Sequence, residues 1–305
     1  MRKPLLSLLL PIFLSLITLS AFCQTGTMPG PDDKTTADEK SDKAEASSSF
    51  KFGVTYISNN VYLGRADTVT TPVIAPQVKF TLKQGIYFQA SLYIIPNKPT
   101  QKLDGGDLGA GYDFDITDDF SGGVSFTKLF YSPTSTQIAS SISSTAHADF
   151  DYDIAGIITP AISLDYNFNT KGVSNDFLLA PGIAHDFINK GIFGTEDVLL
   201  ISPTITANIG TQNFYDAYLT KKHFKSVKRT KIQNAVINAY LNKLGQTELL
   251  DYELSAPVEY KTGHLIFQLV PTYAIVQNQL PKSIAARLSD QSSIFYVEAG
   301  VSLKF

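Results

Sequence analysis

Tryptophan is absent from the 305 residues, cysteine occurs once and histidine four times. The lone Cys23 has no partner for an internal disulfide, so an exported fold would rest on its sheet or core alone. Long apolar runs are lacking as well: beyond Cys23 none is long enough to make a transmembrane helix. Any passage through a membrane must then be made by strands closed into a barrel. Excess positive charge is also missing. The formal net charge is −3, and nothing in that balance points to a nucleic-acid partner.

What is present begins with MRKPLLSLLLPIFLSLITLSAFC (1–23): two cations, an apolar stretch, then small residues. That order predicts a signal peptide cleaved after Cys23, with Ala21 at −3. Pro4, Pro11 and the modest apolar length argue against a retained anchor, and Phe22 argues against lipidation of Cys23. Removing Arg2 and Lys3 takes the formal charge from −3 to −5. Residues 24–49 are mostly Thr, Ser, Asp, Lys and Gly, too polar to offset their own ordering entropy. A disordered periplasmic leader, acting as a plain linker, is expected there.

From Phe50 onward the period is two residues. In IFYVEAGVSLKF (294–305), Phe295, Val297, Val301, Leu303 and Phe305 share one face, while Tyr296, Glu298, Ser302 and Lys304 share the other. Eleven earlier stretches alternate similarly, among them 50–57, 73–83, 86–95 and 264–276, so twelve strands are predicted. Connections after even-numbered strands are mostly tight (KQG, TDD, KTG), whereas those after odd-numbered strands are mostly longer, up to the 210–247 segment. The predicted fold is therefore all-β: a transmembrane, antiparallel, up-and-down β-barrel of about twelve strands over 50–305. Short periplasmic turns and long extracellular loops would set it in the outer membrane of a Gram-negative cell.

Charge decides which face would meet lipid. Asp113, Asp115, Asp149, Asp151, Asp153 and Asp165 stand opposite apolar neighbours, as do Asp251, Glu253, Glu259 and Glu298. Turned inward, these carboxylates line a lumen together with the cations Lys51, Lys79, Lys83 and Lys304, leaving an apolar band outside. The last strand, ending in Phe305, also resembles the feature by which the barrel-assembly machinery recognises its clients. Phe295, Val297, Val301, Leu303 and Phe305 would carry it.

YISNNVYLGR (56–65) and PVIAPQVKFTLKQGIYFQASLY (72–93) resemble the opening hairpins of the TorF-type porin family. YSPTS, ADFDYDIAG and ISLDYNF, across 131–168, add to the resemblance. It covers the N-terminal half to two-thirds of the chain and implies an outer-membrane barrel with a pore role, without carrying over any functional residue. The lack of tryptophan and the basic insert at 210–247 depart from the family pattern.

Catalytic chemistry finds little support. His147, His185, His223 and His264 are scattered, and although HAD (147–149) and HD (185–186) could pair, no nucleophile stands beside them in sequence. No catalytic residue, cofactor or resident metal is expected. DFDYD (149–153) begins like a calcium loop but has Ile154 where glycine is needed and Pro160 where glutamate belongs. On a strand its aspartates share one face, as lumen wall or, alternatively, as a weak cation contact. YLTKKHFKSVKRTKIQNAVINAYLNKLG (218–245) instead has helical period, with Ile232, Val236, Ala239, Tyr240 and Leu244 in a stripe and Gly245 as a cap. Lys221, Lys222, Lys225, Lys228, Arg229 and Lys231 crowd its first half. A solvated extracellular loop is the plain expectation; contact with lipopolysaccharide phosphates or folding over the pore mouth are the alternatives.

The functional expectation is a narrow, porin-like channel for small hydrophilic solutes, with an acidic, cation-preferring lumen. A non-conducting structural or surface-binding barrel, working through the basic 210–247 loop, is the alternative, and an outer-membrane hydrolase ranks below both. Expected partners are outer-membrane lipid and lipopolysaccharide, the barrel-assembly machinery and small hydrophilic solutes.

Overall fold

A computed structural model of the chain describes residues 47–67, 69–170, 172–219, 238–279 and 291–305. The signal sequence, nearly all of the leader, and the cations Lys221 to Lys231 lie outside the described residues. The alternating stretches become β1 (Ser49–Ile57), β4 (Val73–Thr81), β5 (Ile86–Ile94), β6 (Leu103–Asp115), β7 (Phe120–Tyr131), β8 (Ile142–Tyr152) and β9 (Thr159–Asn169). β2 (Val61–Tyr62) and β3 (Arg65–Ala66) form a small separate hairpin. The next three spanning strands are each broken once, giving β10 (Asp176–Ala184) with β11 (Phe187–Lys190), β12 (Val198–Ile201) with β13 (Thr204–Gly210), and β14 (Glu248–Ser255) with β15 (Val258–Thr262). β16 (Leu265–Val276) and β17 (Ser293–Lys304) complete twelve spanning strands, and α1 (Asn213–Leu219) lies in the loop after β13.

Each spanning strand pairs antiparallel with its neighbours in sequence, and β17 returns to β1 with Lys304 opposite Lys51 and Val301 opposite Val54. Reciprocal bonds between the backbones of Phe50 and Phe305, both 2.9 Å, continue that seam to the last residue. The sheet has no free edge along this seam, as hydrocarbon requires of backbone that cannot bond to water. The breaks in the three interrupted strands have a common cause. Pro203 and Pro257 lack the N–H a ladder needs, and their carbonyls, with that of Pro271, accept bonds from His185, Ser202 and Ala256 of the adjoining strands.

Side chains alternate about this closed wall. Phe50, Phe52, Phe88, Phe126, Phe267 and Phe305 point out and are exposed, Phe305 by 64%. In water each such ring would cost about 25 cal/mol per Å² of apolar surface; in hydrocarbon that cost vanishes. The pattern is that of a membrane-spanning barrel. Turns of two to seven residues close one rim, while segments as long as 211–247 leave the other.

At the long-loop rim the inward positions turn apolar, which departs from the uniformly polar lumen expected above. Leu129, Ile142, Leu178 and Leu250 on the wall meet Tyr62, Leu63, Ile138, Phe214, Leu219, Tyr240 and Leu244 from the loops in one buried cluster. The described ends of 210–247 pack their large apolar side chains into the barrel end, Phe214 and Leu219 with no exposure and Tyr240 and Leu244 with almost none, while Asn242, Lys243 and 245–247 stay exposed.

Candidate functional site

The interior below this cluster is the candidate site. Its most organised stretch spans β4 to β9. Lys79 on β4 lies over the Tyr87 ring at 4.0 Å and 3.7 Å from the Asp113 carboxylate on β6. Gly123 on β7 separates Asp113 from Asp149 on β8 in register. A Cβ there would sit 2.8 Å from Asp149 Oδ1 and 3.1 Å from Asp113 Oδ1, so the glycine makes room for two carboxylates. His147 lies between acids, with Nδ1 2.6 Å from Asp165 Oδ1 and Nε2 3.2 Å from Asp149 Oδ1. Both ring nitrogens thus face carboxylates. Ser121 donates to Asp151 across the same wall.

The opposite wall carries the second acidic set. Asn208 donates to Asp251 Oδ1 at 2.6 Å, and the Tyr296 hydroxyl to Glu253 Oε1 at 3.2 Å. Glu259 and Glu298 are buried on the same inner face. Asp115 sits exposed at the end of β6, and Lys304 is half-buried beside Lys51 near the short-turn rim. One expected lumen residue falls elsewhere: Lys83 is exposed in the 82–85 turn. Asp153, just past β8, is buried on the inward parity like Asp149, and its carboxylate accepts the Gly156 N–H at 2.8 Å. Of the expected insertion residues, Phe295, Val301, Leu303 and Phe305 point outward and exposed, and Val297 shares their face with partial exposure.

Three contributors escaped the sequence reading. Asp107 is an inward carboxylate that accepts from the Tyr93 hydroxyl. Lys261 shares the inner face with Glu259. The third is Arg65, brought inside by the β2–β3 hairpin, whose two turn residues Leu63 (φ 51) and Gly64 (φ 68) are both left-handed. Two positive φ values are the geometry of a tight primed hairpin turn, and a side chain on Gly64 would also press against Asp251, 3.1 Å away. Arg65 then reaches Gln212 Oε1 and the Tyr240 hydroxyl, each at 3.3 Å, bonds the Asn278 carbonyl, and lies 5.1 Å over the Tyr215 ring. Tyr62, on the same hairpin, accepts from Asn167 of β9 at 2.9 Å and packs edge-on against Phe214. The available signal was the pair of aromatic and glycine residues in VYLGR, which alternation alone does not interpret.

Fold and interior together define a closed twelve-stranded barrel with a predominantly acidic inner wall and an inserted hairpin. Among solved structures it is similar to the KdgM porin (TM-score 0.47, 10% identity, covering 84% of this chain and 99% of that one). It is also similar to the NanC porin (TM-score 0.42, 9% identity, 84% and 100%) and to LpxR from Salmonella typhimurium (TM-score 0.42, 8% identity, 83% and 99%). At such distances these likenesses do not bear on function. The chain matches no protein-family model and no curated protein, so the TorF-type resemblance stands on its short motifs alone.

Proposed function

We propose that this chain is an outer-membrane barrel forming a narrow, cation-preferring channel for small hydrophilic solutes, stoppered at its long-loop end by the β2–β3 hairpin. The observation that carries this reading is the acidic inner wall enclosed by an apolar outer band. Fixed carboxylates in a tube of low-dielectric walls act on a passing ion more strongly than they would in bulk water. They concentrate cations and repel anions, most of all at low salt. Twelve strands leave an interior between the filled eight-stranded barrels and the wide sixteen-stranded pores. Planar-bilayer recordings in a salt gradient test the reading. A cation-selective reversal potential supports it, and anion preference overturns it.

The location is tested separately. The mature chain should fractionate with the outer membrane and run faster on unheated gels, because a closed barrel resists detergent. Phe305→Asp places a charge at the lipid boundary and should abolish that heat-modifiable band. Lys304→Ser, on the inner face, should leave it, and equal effects would refute the assigned facing.

A second reading is favoured by the apolar packing at the long-loop end: a non-conducting barrel whose lysine-rich loop contacts lipopolysaccharide phosphates. It predicts silent bilayers and salt-sensitive binding to lipopolysaccharide that is lost when Lys221, Lys222, Lys225 and Lys228 become glutamine.

A further inference from the structure

The outer wall of the barrel is not evenly covered. Along one register row Val78 of β4, Ala90 of β5, Leu108 of β6 and Lys128 of β7 stand side by side. In the next row Gly106 lies between Leu92 and Phe130. Ala90 and Gly106 fill little space where their neighbours are large, which leaves an outward groove of about 670 Å³ bounded by Phe52, Leu92, Leu108 and Phe130. That volume lies within the range of small-molecule sites. One end of the groove reaches Leu103 and Ser132, where β6 and β7 meet the long-loop rim.

Lys128 ends the first row and is exposed. Among the described residues it is the one Lys, Arg, Asp or Glu on the outward parity of the twelve spanning strands. It forms no ion pair there. Lys128 lies three residues short of Tyr131, about 10 Å along the strand, so its stem can carry the ammonium toward the headgroup layer.

We propose that this face binds one lipopolysaccharide molecule, with acyl chains in the groove and a lipid A phosphate on Lys128. The inference rests on the outer-membrane placement proposed above and is independent of conduction. A lipid-facing cation is costly in hydrocarbon unless it reaches the interface or an anion. A phosphate at the interface supplies that anion in a charge-assisted contact. Bulk acyl chains would account for the groove and not for the lysine; a free phosphate would account for the lysine and not for the groove. Long loops mark the outside of such a barrel, and the anionic lipid of that leaflet is lipopolysaccharide, not phosphatidylglycerol.

Native mass spectrometry tests the proposal on the folded barrel in detergent, stripped of lipid. The barrel is offered lipid A, dephosphorylated lipid A, phosphatidylethanolamine and phosphatidylglycerol. One retained lipid A per barrel is expected, held about tenfold or more tighter than the other three, the scale of one charged contact. Lys128→Leu should remove that preference and Lys128→Arg should keep it. Ala90→Phe, which fills the groove, should weaken lipid A and its dephosphorylated form alike. Parent and variants share the 210–247 loop, so any binding by its lysines cancels in the comparison. Equal retention of all four lipids would mean annular lipid only and would overturn the proposal. So would tighter binding of phosphatidylglycerol, or unchanged lipid A retention in Lys128→Leu. Should that variant lose the heat-modifiable band, unchanged retention in Ala90→Phe overturns the proposal instead. A chain in the outer membrane that retains no lipid A loses this site and keeps its placement; a chain found outside that membrane loses both.

Discussion

The two ends of the barrel interior follow the same side-chain parity and reach opposite chemistry. Toward the short-turn rim, inward positions carry Asp113, Asp151, Glu259 and Lys304. Toward the long-loop rim the same parity carries Ile57, Val73, Leu129 and Val276. Loop residues pack against the second set and leave the first alone. An inward position is therefore polar where it faces the barrel interior, and apolar where it faces another piece of chain. The difference teaches that a barrel can carry its own stopper when its strand ends switch composition.

The largest effect should come from removing the stopper. Replacing Val61–Ala66 with a Gly-Ser linker should raise single-channel conductance severalfold while the heat-modifiable band survives, since the twelve-strand ladder does not include β2 or β3. Silent bilayers from that variant would favour the non-conducting reading. Next comes the charged half. Asp149→Asn with Asp151→Asn should move the reversal potential toward zero, whereas Asp115→Asn should move it less because that carboxylate is exposed at the end of β6. Equal effects would contradict the division between wall and rim.

Packing at the stoppered end supplies the third prediction. Phe214 is fully buried between Tyr62 and Tyr215. Phe214→Ala should lower the unfolding free energy by about 3–5 kcal/mol, read from urea titration in micelles, if that cluster is packed as a core is. The smallest effect concerns the opposite rim. Burial alone would raise the Asp197 carboxyl, but the Tyr260 hydroxyl and the N–H groups of Phe193, Gly194 and Ile192 outweigh it and hold the group below the ordinary carboxylate range. Its contribution is present above the unfolded carboxylate pKa and is lost as pH falls through the lower folded value. Asp197→Asn should therefore show a smaller loss of melting temperature on acidification than the parent, and identical acid profiles would refute the role.

The barrel was legible because period two survives any register, and twelve alternating stretches with rims of unequal connection length have few other solutions. The carboxylates of β8, β9 and β14 were legible for the same reason. The alternation runs on past Tyr152 to a buried Asp153 before the chain turns at Ala155 (φ 54) and Gly156 (φ 68). The β2–β3 hairpin was missed because its turn is Leu63–Gly64, without the Asn-Gly or Asp-Gly pair that marks such turns. In 210–247 the lysines outnumber the aromatics and obscure the two buried anchors at its described ends, Tyr218 and Tyr240.

The seam between β1 and β17 gives closure of this barrel the longest reach along the chain. It joins Lys51 to Lys304, across nearly the whole described chain, so the contact with the greatest sequence separation is also the one that closes the wall. Closure entropy must be met before that pairing returns anything, and topologies of this kind fold slowly. Without the β1–β17 pairing the sheet would have two free edges, each open to pairing with a second chain. Pairing of β17 with β1 removes both edges in one step.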